Sequence, residues 1–172
     1  MTFIKQTFFA AVIACSAFVT GASAAVIQIS AEERAEEYSL SRKSVALSGY
    51  DPVAYFGNGP QEGKKSISYT HEGVVYRFAS KENLEKFKAS PASYEPQYGG
   101  WCAWAMYKDG GRTEPDPKNY KIVEGKLYVF YKGLFGDTLK LWNETSVKQA
   151  EVQLISTANT NWQGQFTNVA SK

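Results

Sequence analysis

The sequence predicts an α+β domain, antiparallel β-hairpins packed against two or three helices, and three observations lead there. Two pairs of short alternating runs each flank a tight turn: Ile67-Ser-Tyr69 and Val74–Phe78 around His71-Glu72-Gly73, and Tyr120–Val123 and Lys126–Tyr131 around Glu124-Gly125. Between them, Ser80 is a good N-cap for a segment with Glu82 in its first turn and Leu84 and Phe87 as an i, i+3 apolar pair, closed by Pro91. After Asp137, the residues Leu139, Trp142, Thr145, Ala150 and Leu154 keep an approximate helical spacing. Hairpins and helices that do not alternate regularly along the chain give an α+β arrangement rather than a parallel α/β one.

Residues 1–24 read as a secretory signal: Lys5 is the lone charge, Phe8–Val19 is the apolar stretch, and Ala22-Ser-Ala24 is a small-x-small cleavage site. The apolar stretch falls short of the ~20 residues a helix needs to cross a bilayer, so no anchor is expected after cleavage. The expected location is periplasmic or secreted. Val12-Ile-Ala-Cys15 resembles a lipobox, and acylation of Cys15 is the rival route; the apolar stretch running past Cys15 to Val19 speaks against it. Residues 25–44 form a polar arm in which Ser30–Glu37 has the acidic first turn of a short helix. The domain core is expected over 45–132, with 133–172 as a helical extension packed on it and a break near Thr145-Ser146.

Within the core, Ser44–Leu47 is a short strand, Gly57-Asn-Gly-Pro60 a turn cluster, and Lys108–Pro117 a polar loop. Pro91 and Pro96 prevent a long helix through Tyr94. Aromatic residues make up 15% of the chain, so most of them must form the core. The formal net charge is +2, with the two signs mixed and no basic block, which gives no support for a nucleic-acid or anionic-membrane partner.

Chemistry rests on few residues. His71 is the only histidine, and once the leader is removed Cys102 is the only cysteine, in a compartment where thiols oxidise. No Cys-x-x-Cys, Walker loop or dinucleotide fingerprint is present, and one His with one Cys gives little acid–base capacity, so no catalytic constellation is visible. The stretch Tyr98-Gly-Gly-Trp-Cys-Ala-Trp-Ala-Met106 is the most unusual. Tyr98, Trp101 and Trp104 are its candidate ligand-contacting residues. Cys102 has three readings: a small buried hydrophobe, a redox or intermolecular thiol, or a soft-metal ligand. In the last, Cys102 holds Cu(I), with Met106 one helical turn on and His71 as helpers. Asp51, which precedes Pro52, reads as a turn-fixing carboxylate.

Together, Gly49-Tyr-Asp-Pro-Val-Ala-Tyr-Phe56, Gly73-Val-Val-Tyr-Arg-Phe-Ala-Ser80, Phe87-Lys-Ala-Ser-Pro91, Tyr94 and Tyr98-Gly-Gly-Trp-Cys-Ala-Trp-Ala105 resemble the YHS domain, and more narrowly its exported bacterial branch. The resemblance spans roughly Leu47 to Tyr131. Metal-linked members of the wider group carry cysteines in an Asp-Pro-Val-Cys and a Phe-Cys-Ser-x-x-Cys segment; here Ala54, Ala79 and Asn83 stand at those positions. The resemblance therefore implies a binding module without a thiolate cluster of that kind. Cys102 falls in the Tyr-Gly-Gly-x-Cys-Ala-Trp-Ala pattern of the exported branch. The reading is an exported, non-enzymatic module for a small ligand or a thiophilic metal such as copper. Its alternative is a structural or protein-interaction domain of the cell envelope with a buried, inert Cys102.

Overall fold

Each predicted hairpin closes on a two-residue turn whose residues both have positive φ: Glu72-Gly73 (45° and 82°) and Glu124-Gly125 (48° and 69°). That backbone matches the twist of the strands it joins. The computed structural model describes residues 30–41 and 44–167, and the expected leader lies outside them. The first hairpin pairs β3 (Lys64–His71) with β4 (Val74–Phe78), and β4 alternates buried and half-buried residues as a strand over a core must. Two short strands, β1 (Leu40–Ser41) and β2 (Val45–Ala46), complete a four-stranded sheet in the order β1-β2-β4-β3. Its β2–β4 pairing is parallel, set by Val45 opposite Val75, while the others are antiparallel. The second hairpin, β5 (Asp116–Val123) with β6 (Lys126–Phe130), stands as its own sheet, and a small third hairpin joins β7 (Lys132–Gly133) to β8 (Gly136–Asp137).

The α+β class is what the structure has. Among the described residues it carries five α-helices: α1 (Ala31–Glu37), α2 (Lys81–Ala89), α3 (Ala103–Asp109), α4 (Thr138–Lys148) and α5 (Glu151–Thr167). α1 starts on a capping box between Ser30 and Glu33, and α2 on Ser80, whose hydroxyl accepts from the Asn83 N–H at 3.1 Å. The C-terminal helix breaks at Gln149-Ala150, four residues later than expected from Thr145-Ser146. Thr145 and Ser146 are half-buried and remain helical, with the Ser146 hydroxyl donating to the Asn143 carbonyl at 2.8 Å.

Three apolar clusters make the core. Trp142, Leu154 and Ala158 of α4 and α5 close on Met106 of α3 and on Tyr128 and Phe130 of β6, so α4 and α5 are integral to the core. Phe87 of α2 packs on Val74, Tyr76 and Phe78 of β4. Leu47 and Tyr55 meet Leu127 and Val129. The arm is also packed: Arg34 is buried, pairs with both Glu72 and Glu95, and lies 4.6 Å from the centre of the Tyr38 ring.

Candidate functional site

Asp51 has no solvent exposure, yet its carboxylate is fully engaged. Oδ1 accepts from the backbone N–H groups of Val53 and Ala54 at 2.9 and 3.4 Å, the local turn that the Asp-Pro step favours. Oδ2 accepts from the Ala79 N–H at 2.8 Å and from the Asn83 side-chain amide at 2.7 Å. One buried carboxylate thus clamps the loop after Asp51 onto the junction of β4 and α2. A cleft of about 500 Å³ opens over this clamp. Its walls include Phe56 and Tyr94, whose rings meet edge to face at 5.4 Å, together with Asn58, Gln61, Asn83 and Lys86. Lys86 pairs with Glu82 at 2.6 Å on the rim. Ala54, Ala79 and Asn83, the three positions singled out by the YHS resemblance, all line this one cleft.

Cys102 sits elsewhere and is closed. It is fully buried at the N-cap of α3, where its sulfur accepts from the Tyr131 N–H at 3.3 Å and lies 3.3 Å from the Thr138 hydroxyl. That hydroxyl donates its one proton to the Tyr131 carbonyl at 2.9 Å, so the Cys102 S–H is the donor to Thr138. The sulfur therefore has its donor and acceptor roles both filled inside the fold. Met106 is also fully buried, but its thioether accepts from the Gln165 amide of α5 at 3.4 Å, whereas Cys102 turns to β6 and the start of α4. His71 closes β3 rather than occupying the turn, half-buried with its ring 6.0 Å from Phe87 and 6.4 Å from Tyr69. The structure does not join the three as ligands: Cys102 and Met106 are linked through a backbone hydrogen bond, but their sulfurs meet different partners, and His71 lies beside Tyr69 and Phe87. Among the described residues no group of three or more His, Cys, Asp or Glu is placed to hold a metal ion.

The three aromatic candidates are separated in the same way. Tyr98, Gly99 and Gly100 all have positive φ, at 57°, 59° and 84°. At Gly99 the reason is contact, since a Cβ would come within 2.7 Å of the Tyr38 ring. The Tyr98 ring is buried and donates its hydroxyl to Asn159 at 3.0 Å, beside a second cleft of about 360 Å³ that Tyr38, Glu95 and Trp162 help to line. Trp101 precedes α3 and donates its indole N–H to the Glu37 carbonyl at 2.7 Å, holding α1 in place. Trp104 packs on Tyr107 at 5.5 Å, with the Lys108 ammonium 5.9 Å from the centre of its ring.

Around the second cleft, burial pushes the Tyr38 phenol up to about 12, against the opposing pull of Arg34. Burial raises Tyr76 well above the ordinary phenol range, and its hydroxyl donates to Glu95 at 2.7 Å. No family model matches the chain, and no curated protein or solved structure matches it either.

Proposed function

We propose that the protein is an exported, non-enzymatic binding module of the YHS type, that its ligand site is the cleft over Asp51, and that Cys102 is a packing residue. The observation that carries this reading is the convergence of Ala54, Ala79 and Asn83 on one cleft built over a buried, four-fold hydrogen-bonded carboxylate. With alanines and an amide where thiolates would stand, and with the Asp51 oxygens already accepting from four donors, the cleft suits an organic ligand better than an ion. Phe56 and Tyr94 offer an apolar wall, Asn58, Gln61 and Asn83 offer amide donors and acceptors, and the Lys86–Glu82 ion pair lies at the rim. That combination fits a small molecule with one flat face and a hydrogen-bonding edge.

Copper binding through Cys102, helped by Met106 or His71, is the reading this geometry supports least. It requires the thiol to lose its proton and its contacts with Thr138 and Tyr131, and a metal to enter a site with no solvent access. The alternative of an envelope interaction domain agrees with the burial of Cys102 and shares that part of the proposal.

The test is an NMR titration of the ¹⁵N-labelled protein with a panel of small aromatic acids, amides and sugars. Saturable shifts confined to the segments around Val53–Gln61, Ala79–Lys86 and Tyr94, lost in Asn83→Ala and Tyr94→Ala, support the cleft. Saturable shifts centred on Tyr98–Met106 would overturn it.

A further inference from the structure

The hairpin of β7 and β8 carries Leu134 and Phe135 at its tip, and these side chains are 99% and 93% exposed. Two adjacent large apolar residues held almost wholly in water are a cost to solubility that monomeric surfaces usually avoid. The tip is held out by its base rather than left loose. Lys132 pairs with Asp137 and Gly133 with Gly136 across the ladder, and the Phe135 N–H donates to the Tyr131 hydroxyl at 3.3 Å. Below it, the Asn119 amide donates to both the Tyr131 carbonyl, at 3.2 Å, and the Asp137 carboxylate, at 2.9 Å, fastening the hairpin to β5. A Cβ at Gly133 would come within 2.5 Å of the Tyr131 hydroxyl, so a larger residue there would displace the ring that supports the tip.

The geometry points to insertion of this tip into the interfacial region of a lipid bilayer. Three features favour lipid over a protein partner. First, the apolar area is that of two side chains, with ~150–250 Å² expected for the phenylalanine. A stable protein interface or a second copy of this chain needs ~800 Å² on each side. Second, the ladder pairs and the Phe135–Tyr131 bond tie up part of the hairpin backbone, which lowers the cost of moving the tip into the partly hydrated interface. Third, the collar is of interfacial type: the half-buried Tyr131 lies at the base, and Lys132, with a side chain 59% exposed, has a long stem that can keep its ammonium at headgroup level.

Lys132 is paired with Asp137 at 3.4 Å, so the attraction is apolar rather than electrostatic. This agrees with the mixed charge of the chain as a whole. The contact is shallow and reversible, of the kind made by residues that reach the headgroup and acyl boundary without spanning the membrane.

Flotation of the purified protein with phosphatidylcholine vesicles tests the proposal. The expected result is co-flotation at millimolar lipid that changes little between low and high salt. Leu134→Ser and Phe135→Ser should each lower the partition coefficient about tenfold, and the double variant should abolish it. Both side chains are almost fully exposed, so the thermal melts of the variants should match the wild type. Asn83→Ala, in the proposed ligand cleft, should float like the wild type, which separates this inference from that reading. Three results overturn it: no flotation of the wild type, flotation unchanged by Phe135→Ser, or sedimentation velocity showing a dimer that Phe135→Ser dissociates.

Discussion

Replacing Asp51 removes the acceptor on which four donors converge, and the cost can be worked through donor by donor. The Ala54 N–H also reaches the Asp51 main-chain carbonyl at 3.2 Å, so it keeps a partner, and the half-buried Asn83 amide can turn toward the cleft. The Val53 and Ala79 N–H groups lose the acceptors they hold at 2.9 and 2.8 Å. Each orphaned buried donor costs about 1–3 kcal/mol, and the space left by the carboxylate adds to it, so Asp51→Ala should destabilise by about 3–5 kcal/mol. Asp51→Asn keeps one oxygen for Val53 but turns an NH₂ group toward the Ala79 N–H, and should cost about 2 kcal/mol. In urea, with m near ~2 kcal/mol/M, the alanine midpoint should fall by roughly 2 M at unchanged m, and the asparagine midpoint by roughly half of that. An asparagine variant as stable as the wild type, or an alanine variant more stable than the asparagine one, would refute the claim that this carboxylate builds the cleft.

Two further predictions concern the packed arm. Burial raises the folded Tyr38 phenol to about 12 from an ordinary 10.0, so its contribution to stability is complete below pH 10 and is lost as pH rises through 12. Absorbance titration at 295 nm should therefore show a fraction of the tyrosines ionising only above pH 11, together with loss of the near-ultraviolet circular dichroism; early, uncoupled ionisation of all tyrosines would contradict this. Gly73, at φ 82°, faces the Ala31 carbonyl oxygen, which a Cβ would approach to 2.2 Å, so Gly73→Ala should detach α1 and open the Glu-C sites of Glu32–Glu37 to proteolysis. Unchanged protection of that segment would show that α1 does not depend on this contact.

The hairpins were legible because alternation and turn chemistry are both local: Glu72-Gly73 and Glu124-Gly125 announce their turns without help from the rest of the chain. The helix caps at Ser30 and Ser80 are local for the same reason. What could not be read was any consequence of contact at a distance. The turn-fixing half of Asp51 is written in Asp-Pro, but its bonds to Ala79 and Asn83 join residues 28 and 32 positions away. Sequence spacing placed Met106 one turn from Cys102, and α3 does connect them; which neighbour each sulfur meets is decided by α5 and β6, beyond the reach of spacing. Tyr98, Trp101 and Trp104 are neighbours in sequence, but α3 begins at Ala103, so Trp101 stands before the helix and turns to α1. Arg34 gave no signal in an acidic surface-like segment, because its burial depends on Glu72 and Glu95 arriving from other elements.

The central claim, that binding belongs to the Asp51 cleft and that Cys102 is packing, is tested most directly by anaerobic titration of the protein with Cu(I) against a competing chelator. The account predicts no competitive binding by the wild type, slow labelling of the Cys102 thiol without denaturant, and a loss of about 1–3 kcal/mol of stability in Cys102→Ala, because the Tyr131 N–H loses its acceptor. One equivalent of copper held by the wild type and lost in Cys102→Ser, with the fold intact, would contradict it.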